Sequence, residues 1–217
     1  MLVQNQVGPI ATTASISPGI QSPGRAGNLG DAIVSELHGR YYETTYRRAG
    51  FTGATQAVLA TATTAGLTVS LTGVPVLYNP IGNTNNIVVN KVGLSVLLAP
   101  AAPVSIGIAT GFNAGTAISG TLTSVAPKSR YIGLGAAPTA AMYFSAAITL
   151  PTIPTLDMVF TTVDTGAITT SPSGAATVVD LEGGLILPPG AYMTIYTSAA
   201  LLASSLLASF QWEEVPI

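Results

Sequence analysis

The chain has a single histidine, His38, and no cysteine. A Ser-His-Asp relay would therefore have to use His38, and no Gly-x-Ser-x-Gly turn offers an activated serine. Set beside Gly39 at a turn, His38 reads as structural. A phosphate loop needs glycines ahead of its lysine; Lys128-Ser129 follows Pro127 and lacks them, and Gly133-Leu134-Gly135 is too short to signal a dinucleotide site. Carboxylate pairs are the remaining enzymatic option, because two acids flanking a glycosidic bond can cleave it. On a strand, Asp180 and Glu182 would share a face, whereas Glu213 and Glu214 would point to opposite faces. Solvated or ion-paired acids give the same pattern, and nothing in the order of residues brings two acids into one cleft. The acids are also too dispersed for a calcium loop, and the lack of cysteine excludes disulfides and thiolate-bound zinc. No catalytic residue, cofactor or metal is assigned, and the expectation is that the chain is not an enzyme.

The one concentrated stretch is Gly39–Arg48, which holds three of the eight tyrosines and three of the seven basic residues. As a helix it would pair Glu43 with Arg47 and Tyr42 with Tyr46 at i,i+4. As a strand it would place Tyr42, Thr44, Tyr46 and Arg48 on one face, and its Tyr/Thr richness favours that reading. The tyrosines could stack on bases or sugars, but no basic groove accompanies them. Contact with protein is the better role, and we assign it to Arg40, Tyr41, Tyr42, Tyr46, Arg47 and Arg48, with Trp212 near the other end of the chain.

These residues need elements to position them. Charged residues are 7% of the chain and hydrophobic ones 48%, against about 25% charged in ordinary globular proteins. Disordered chains are polar and charged, so disorder does not explain this composition. The long uncharged runs are broken by Pro75, Pro80, Pro100, Pro103, Pro188 and Pro189, which leaves no stretch of ~20 apolar residues for a spanning helix. Interface cores are depleted in charge, so a low-charge surface implies that neighbouring molecules cover much of it. The net charge of −2 implies no general affinity for nucleic acid, and Met1-Leu2-Val3-Gln4-Asn5 does not resemble a signal peptide. Arg25, Arg40, Arg47 and Arg48 make the first quarter basic, while only acids follow Arg130. Complementary ends of this kind suit head-to-tail or arm-to-neighbour contacts; a random scatter of charges would look the same.

Residues 1–30 are rich in Ser-Pro-Gly and Gly-Pro turns and read as an extended arm. Residues 31–217 read as one β-domain. Asp31–His38 is a short helix or turn. Strands are expected over 56–61, 67–71, 74–78, 87–98, 104–110, 121–125, 141–150, 156–162, 176–181 and 210–215, with a strand, Pro-Pro-Gly turn and strand over 185–196. The alternation in 87–98 and 104–110, joined by Pro100 and Pro103, predicts an antiparallel pair. Ser198–Ala208 has helical propensity but suits a buried loop equally well. Many short strands separated by Gly/Pro turns indicate an all-β sandwich or barrel.

Three segments carry a family resemblance. Gly39-Arg40-Tyr41-Tyr42-Glu43-Thr44-Thr45-Tyr46-Arg47 resembles the start of a group of tailed-bacteriophage virion proteins. Tyr78-Asn79-Pro80-Ile81-Gly82, followed by Asn86-Ile87-Val88-Val89-Asn90-Lys91-Val92, is similar to a later segment of theirs. Leu187-Pro188-Pro189-Gly190 and Phe210-Gln211-Trp212-Glu213-Glu214-Val215-Pro216 resemble their close. The resemblance covers the body from about residue 39, not the arm. It implies a jelly-roll-like β-sandwich that serves as a capsid decoration (cement) protein. Such a protein would be made in the host cytoplasm and carried on the outside of the virion. Its partners would be the major capsid protein and its own copies, often as a homotrimer, with no nucleic acid and no membrane. Neck, tail or head-fibre components share this composition, and a carbohydrate-binding module is the alternative from another class.

Overall fold

The computed structural model describes residues 43–44, 47–55, 61–133, 135–164, 176–203 and 205–217. The expected arm at 1–30, the 31–38 helix or turn, the 56–60 part of the first expected strand, and Arg40, Tyr41, Tyr42 and Tyr46 lie outside them. Twelve strands follow one another: β1 (Gly50–Ala54), β2 (Ser70–Leu71), β3 (Val76–Tyr78), β4 (Asn85–Val96), β5 (Val104–Phe112), β6 (Ser119–Val125), β7 (Lys128–Ser129), β8 (Ala141–Thr149), β9 (Thr155–Val163), β10 (Ala176–Leu187), β11 (Ala191–Thr197) and β12 (Leu206–Pro216). They form two antiparallel sheets. One has the order β10-β4-β12-β1-β7, and the other runs β2-β8-β3-β11-β5-β9 with β6 on the free side of β8.

The connectivity is that of a jelly roll. Leaving aside β2, β6, β7 and β8, the chain runs β1, β3, β4, β5, β9, β10, β11, β12. The outermost two pair with each other (β1·β12), then the next two (β3·β11), then β4·β10, then β5·β9. This is a long hairpin of eight strands wrapped into two sheets. The other four strands extend it: β7 borders β1, while β2 and β6 flank β8. The expected β-sandwich is therefore the observed fold.

Alternation explains how the sheets enclose a core. On β4, Ile87 and Val89 are buried, and so are Val92, Leu94 and Val96. The phase changes because Asn90 is an extra residue: Gln211 faces Lys91, and Trp212 faces Val89. That bulge keeps both halves of a 12-residue strand facing the core. On β12, Phe210 and Trp212 are fully buried, and the ring of Phe51 on β1 lies 6.1 Å from that of Trp212. Gly53 has no Cβ where Met142 of the opposite sheet brings its Sδ against β1. Burying each of these large side chains contributes about 1.5–3 kcal/mol, which makes this layer of aromatics the centre of the fold.

Two expectations are corrected. The strands at 87–98 and 104–110 exist but do not pair: β4 and β5 belong to opposite sheets, and residues 97–103 cross between them. Alternation states only that one face is buried, and a strand across the core satisfies it as well as a neighbour in the same sheet. The expected strand, Pro-Pro-Gly turn and strand are present, and Pro188-Pro189-Gly190 carries the chain from β10 in one sheet to β11 in the other. Its form is as the residues dictate, with Ala191 N–H donating to Pro188 O at 2.9 Å and Gly190 at φ 90°, a tight turn that calls for glycine at that position. Finally, Gly39–Arg48 is not a strand where it is described. Glu43 and Thr44 are helical, Arg47 N–H donates to Glu43 O at 3.2 Å, and the turn ends at Arg48 with φ 60°. The i,i+4 spacing of Glu43 and Arg47 outweighs β-propensity here.

Two strands, β1 and β7, had no counterpart in the sequence reading. Gly50 and Gly53 weaken the strand pattern of β1, and a two-residue strand has no period. Residues 198–203 form a loop with Leu201 buried, and Leu206 begins β12, which decides the ambiguous helix in favour of the loop. Among the described residues no helix is long and apolar enough to cross a membrane.

Candidate functional site

The segments that carried the family resemblance, far apart in sequence, meet at one end of the sandwich. Asn79 follows β3 and is fully buried. Its backbone N–H donates to Ala191 O at 2.9 Å, and its carbonyl accepts from Gly190 N–H at 2.8 Å. Its Nδ2 donates to Asn85 O at 2.9 Å and to Leu187 O at 2.8 Å. Its Oδ1 accepts from Asn83 Nδ2 at 2.6 Å. One side chain thus fastens the end of β3, the start of β4 and the Pro-Pro-Gly turn between β10 and β11.

The network continues through Thr139, just before β8. Its hydroxyl accepts from Asn83 Nδ2 at 2.9 Å and from Asn85 Nδ2 at 3.3 Å, and donates to Glu214 Oε2 at 2.6 Å. A hydroxyl has one donor and two acceptor sites, so Thr139 is saturated. Glu214 on β12 is 3% exposed. It also accepts from Thr139 N–H and Ala140 N–H at 2.9 Å, and from the Trp212 indole N–H at 3.4 Å. A buried carboxylate is costly without such donors, and here they come from a segment that has no ladder of its own.

Its neighbour Glu213, 7% exposed, accepts from Thr44 N–H at 3.0 Å and from Thr44 Oγ1 at 2.5 Å. The helical turn at Glu43–Thr44 is thereby held to the final strand. Gly50 is required next to it, since a Cβ there would fall on Thr44 Oγ1. Ala49 O accepts from Glu214 N–H at 2.9 Å, and Arg48 O accepts from Ala136 N–H at 3.3 Å.

The contact residues chosen from sequence fall differently. Arg47 forms an ion pair with Glu43 at 3.2 Å within its own turn. Arg48 is exposed, with its guanidinium carbon 4.8 Å from the centre of the Tyr131 ring. Trp212 is fully buried, so its place as an intermolecular contact is corrected: a side chain with no exposed surface supports the fold from inside. The acid from the C-terminal half that fastens the Gly39–Arg48 stretch is Glu213, and it does so through Thr44.

As chemistry, this arrangement holds chain segments together. The carboxylates of Glu213 and Glu214 are occupied by N–H and O–H donors. Asp180 and Glu182 lie at the opposite edge of the first sheet from β7; Asp180 pairs with Lys91 at 3.4 Å, and Glu182 N–H donates to Asp180 Oδ1 at 3.0 Å. No group of three or more His, Cys, Asp or Glu that could hold a metal occurs among the described residues. Two tyrosines are perturbed. Burial pushes the Tyr78 phenol up, only partly opposed by the nearby Ile81 backbone. Burial also raises Tyr192, partly opposed by the Thr152 side-chain hydroxyl 3.1 Å from its phenol oxygen.

Sequence reading quoted Asn79 and Glu214 without seeing that they act together, and it passed over Thr139. A signal was present: two adjacent acids in an otherwise uncharged final strand must find donors where they are buried. No protein-family model matches the chain, and no curated protein matches it.

Proposed function

We propose that this protein is a structural component of a phage particle, a decoration protein that binds the outside of the capsid shell as an oligomer. The observation that carries the reading is the junction built by Asn79, Thr139, Glu213 and Glu214. The segments resembling virion proteins are the ones it draws together, and its polar groups serve to lock strands. The jelly-roll body is consistent with this role, although the same fold also serves lectins and small-molecule enzymes. A charged fraction of 7% suits a surface largely covered by neighbours. In this reading the chain is not an enzyme, needs no cofactor and takes the major capsid protein as its partner, with residues 1–30 lying along the shell or a neighbouring copy.

Copy number in purified particles tests the proposal. Quantitative mass spectrometry is expected to find the chain in fixed proportion to the shell subunit. A handful of copies at one vertex would instead indicate a neck, tail or fibre component, and absence from particles would overturn the reading. Deleting residues 1–27 is expected to abolish attachment; undiminished attachment would remove the arm from the proposal.

A further inference from the structure

The charges of the described residues are sorted by sheet edge. β10 ends the first sheet, and β9 ends the second. These two strands and the residue after β9 carry every exposed acid described: Asp157, Asp164, Asp180 and Glu182. The other described acids, Glu43, Glu213 and Glu214, are buried. At the far edge of the first sheet, β7 carries Lys128, Arg130 follows it, and Arg47 and Arg48 lead into the adjoining β1. Lys91, paired with Asp180, is the one described basic residue away from that edge. Four strand intervals, about 19 Å, separate the two edges.

Exposed apolar side chains accompany the charge on both edges. Val178 is 73% exposed and Met158 43% on the acidic side, and Ile132 is 93% exposed beside Arg130 on the basic side. The acidic edge is also poorly suited to adding a strand. β9 has extra residues at Asp157 and Phe160, and β10 makes an excursion between Asp180 and Leu185. Such irregularities blunt strand addition, so contact there uses side chains.

A symmetric pairing of either edge with itself would set like charges against each other, whereas acidic against basic edge is complementary. We infer that copies of this chain associate head to tail, the β9/β10 edge of one against the β1/β7 edge of the next. A single repeated contact between two different surfaces generates rings where the rotation closes and open filaments where it does not. This extends the oligomer stated in the proposed function and is independent of what the oligomer attaches to.

The test is sedimentation of the full chain and three variants in low salt. Asp157→Lys with Glu182→Lys reverses the acidic edge, Lys128→Glu with Arg130→Glu reverses the basic edge, and the third variant combines all four. The wild type is expected to be oligomeric and to dissociate near 1 M salt, where screening acts over about 3 Å. Each single-edge variant is expected to self-associate at least about tenfold more weakly, and the combined chain to recover. Far-UV circular dichroism confirms folding; should a reversal unfold the chain, the neutral set Asp157→Asn, Glu182→Gln and Lys128→Gln gives the weakening arm. A monomeric wild type, a folded combined variant that stays dissociated, or sensitivity to one edge alone would overturn the inference. Any of these leaves the particle copy-number test of the capsid reading untouched.

Discussion

Replacing Asn79 by alanine removes the side chain on which three segments converge. Its Nδ2 serves two main-chain acceptors, Asn85 O at 2.9 Å and Leu187 O at 2.8 Å, in a place where Asn79 is 0% exposed. Each buried partner left unmade costs about 1–3 kcal/mol. Asn83 is half-buried and can turn its amide toward water, so it adds little. Two acceptors then give a loss of about 4 kcal/mol, a large part of the roughly 5–15 kcal/mol that holds a typical domain folded. In a chain of this size that lowers Tm by about 8–16 °C. Urea unfolding followed by the emission of the buried Trp212 measures the loss, with Tm from calorimetry as a second readout.

Asn79→Asp sharpens the test because it keeps the shape and replaces the donor with an acceptor facing two carbonyl oxygens. Burial and those carbonyls raise the folded pKa of the new carboxyl above its unfolded value of about 3.9. The folded state then holds the proton more tightly, so the stability of the variant is greatest below that pH and falls as pH rises through the folded value. At pH 7 it should be less stable relative to wild type than at pH 4. An alanine variant that loses less than about 1 kcal/mol, or an aspartate variant whose deficit does not depend on pH, would show that the junction does not hold the strands as argued.

Glu214→Ala leaves Thr139 N–H, Ala140 N–H and the Thr139 hydroxyl without their acceptor, and about 3 kcal/mol is expected to be lost in urea unfolding. Glu214→Gln, which retains one acceptor oxygen, should lose less. At Gly107 a Cβ would fall on the Met158 carbonyl oxygen and lie 2.9 Å from Val159 Cα; because backbone cannot turn aside, Gly107→Ala should cost several kcal/mol, about 2–4 by thermal unfolding, and loosen the β5·β9 pairing seen by hydrogen exchange. The Tyr78 and Tyr192 phenols are raised by burial, so their contribution to stability is complete below the unfolded value of about 10 and is lost as pH climbs through the folded values. Phenolate absorbance of wild type against Tyr78→Phe and Tyr192→Phe variants should therefore show these two phenols ionising only as the protein unfolds in alkali, and their ionisation ahead of unfolding would refute it.

The sequence by itself determined most of the longer strands and their facing. Val92, Leu94 and Val96 alternate with polar or small residues, and such a pattern permits one buried face. Pro188-Pro189-Gly190 likewise dictates a turn, since proline sets φ and glycine accepts the positive φ that follows. The all-β class was legible from these local rules. Which strands pair was not, because β4 buries the same residues whether its partner is β5 or β10, and only closure of the whole core makes the choice. Even the start of the body turned on tertiary context: Glu43 and Arg47 form a helical turn whose Thr44 is held by Glu213, 169 residues further on. The junction lay beyond sequence for the same reason. Asn79, Thr139 and Glu214 are each unremarkable polar residues in a chain poor in charge, and they become a fastening only when the jelly roll brings the ends of β3, β10 and β12 within hydrogen-bond reach.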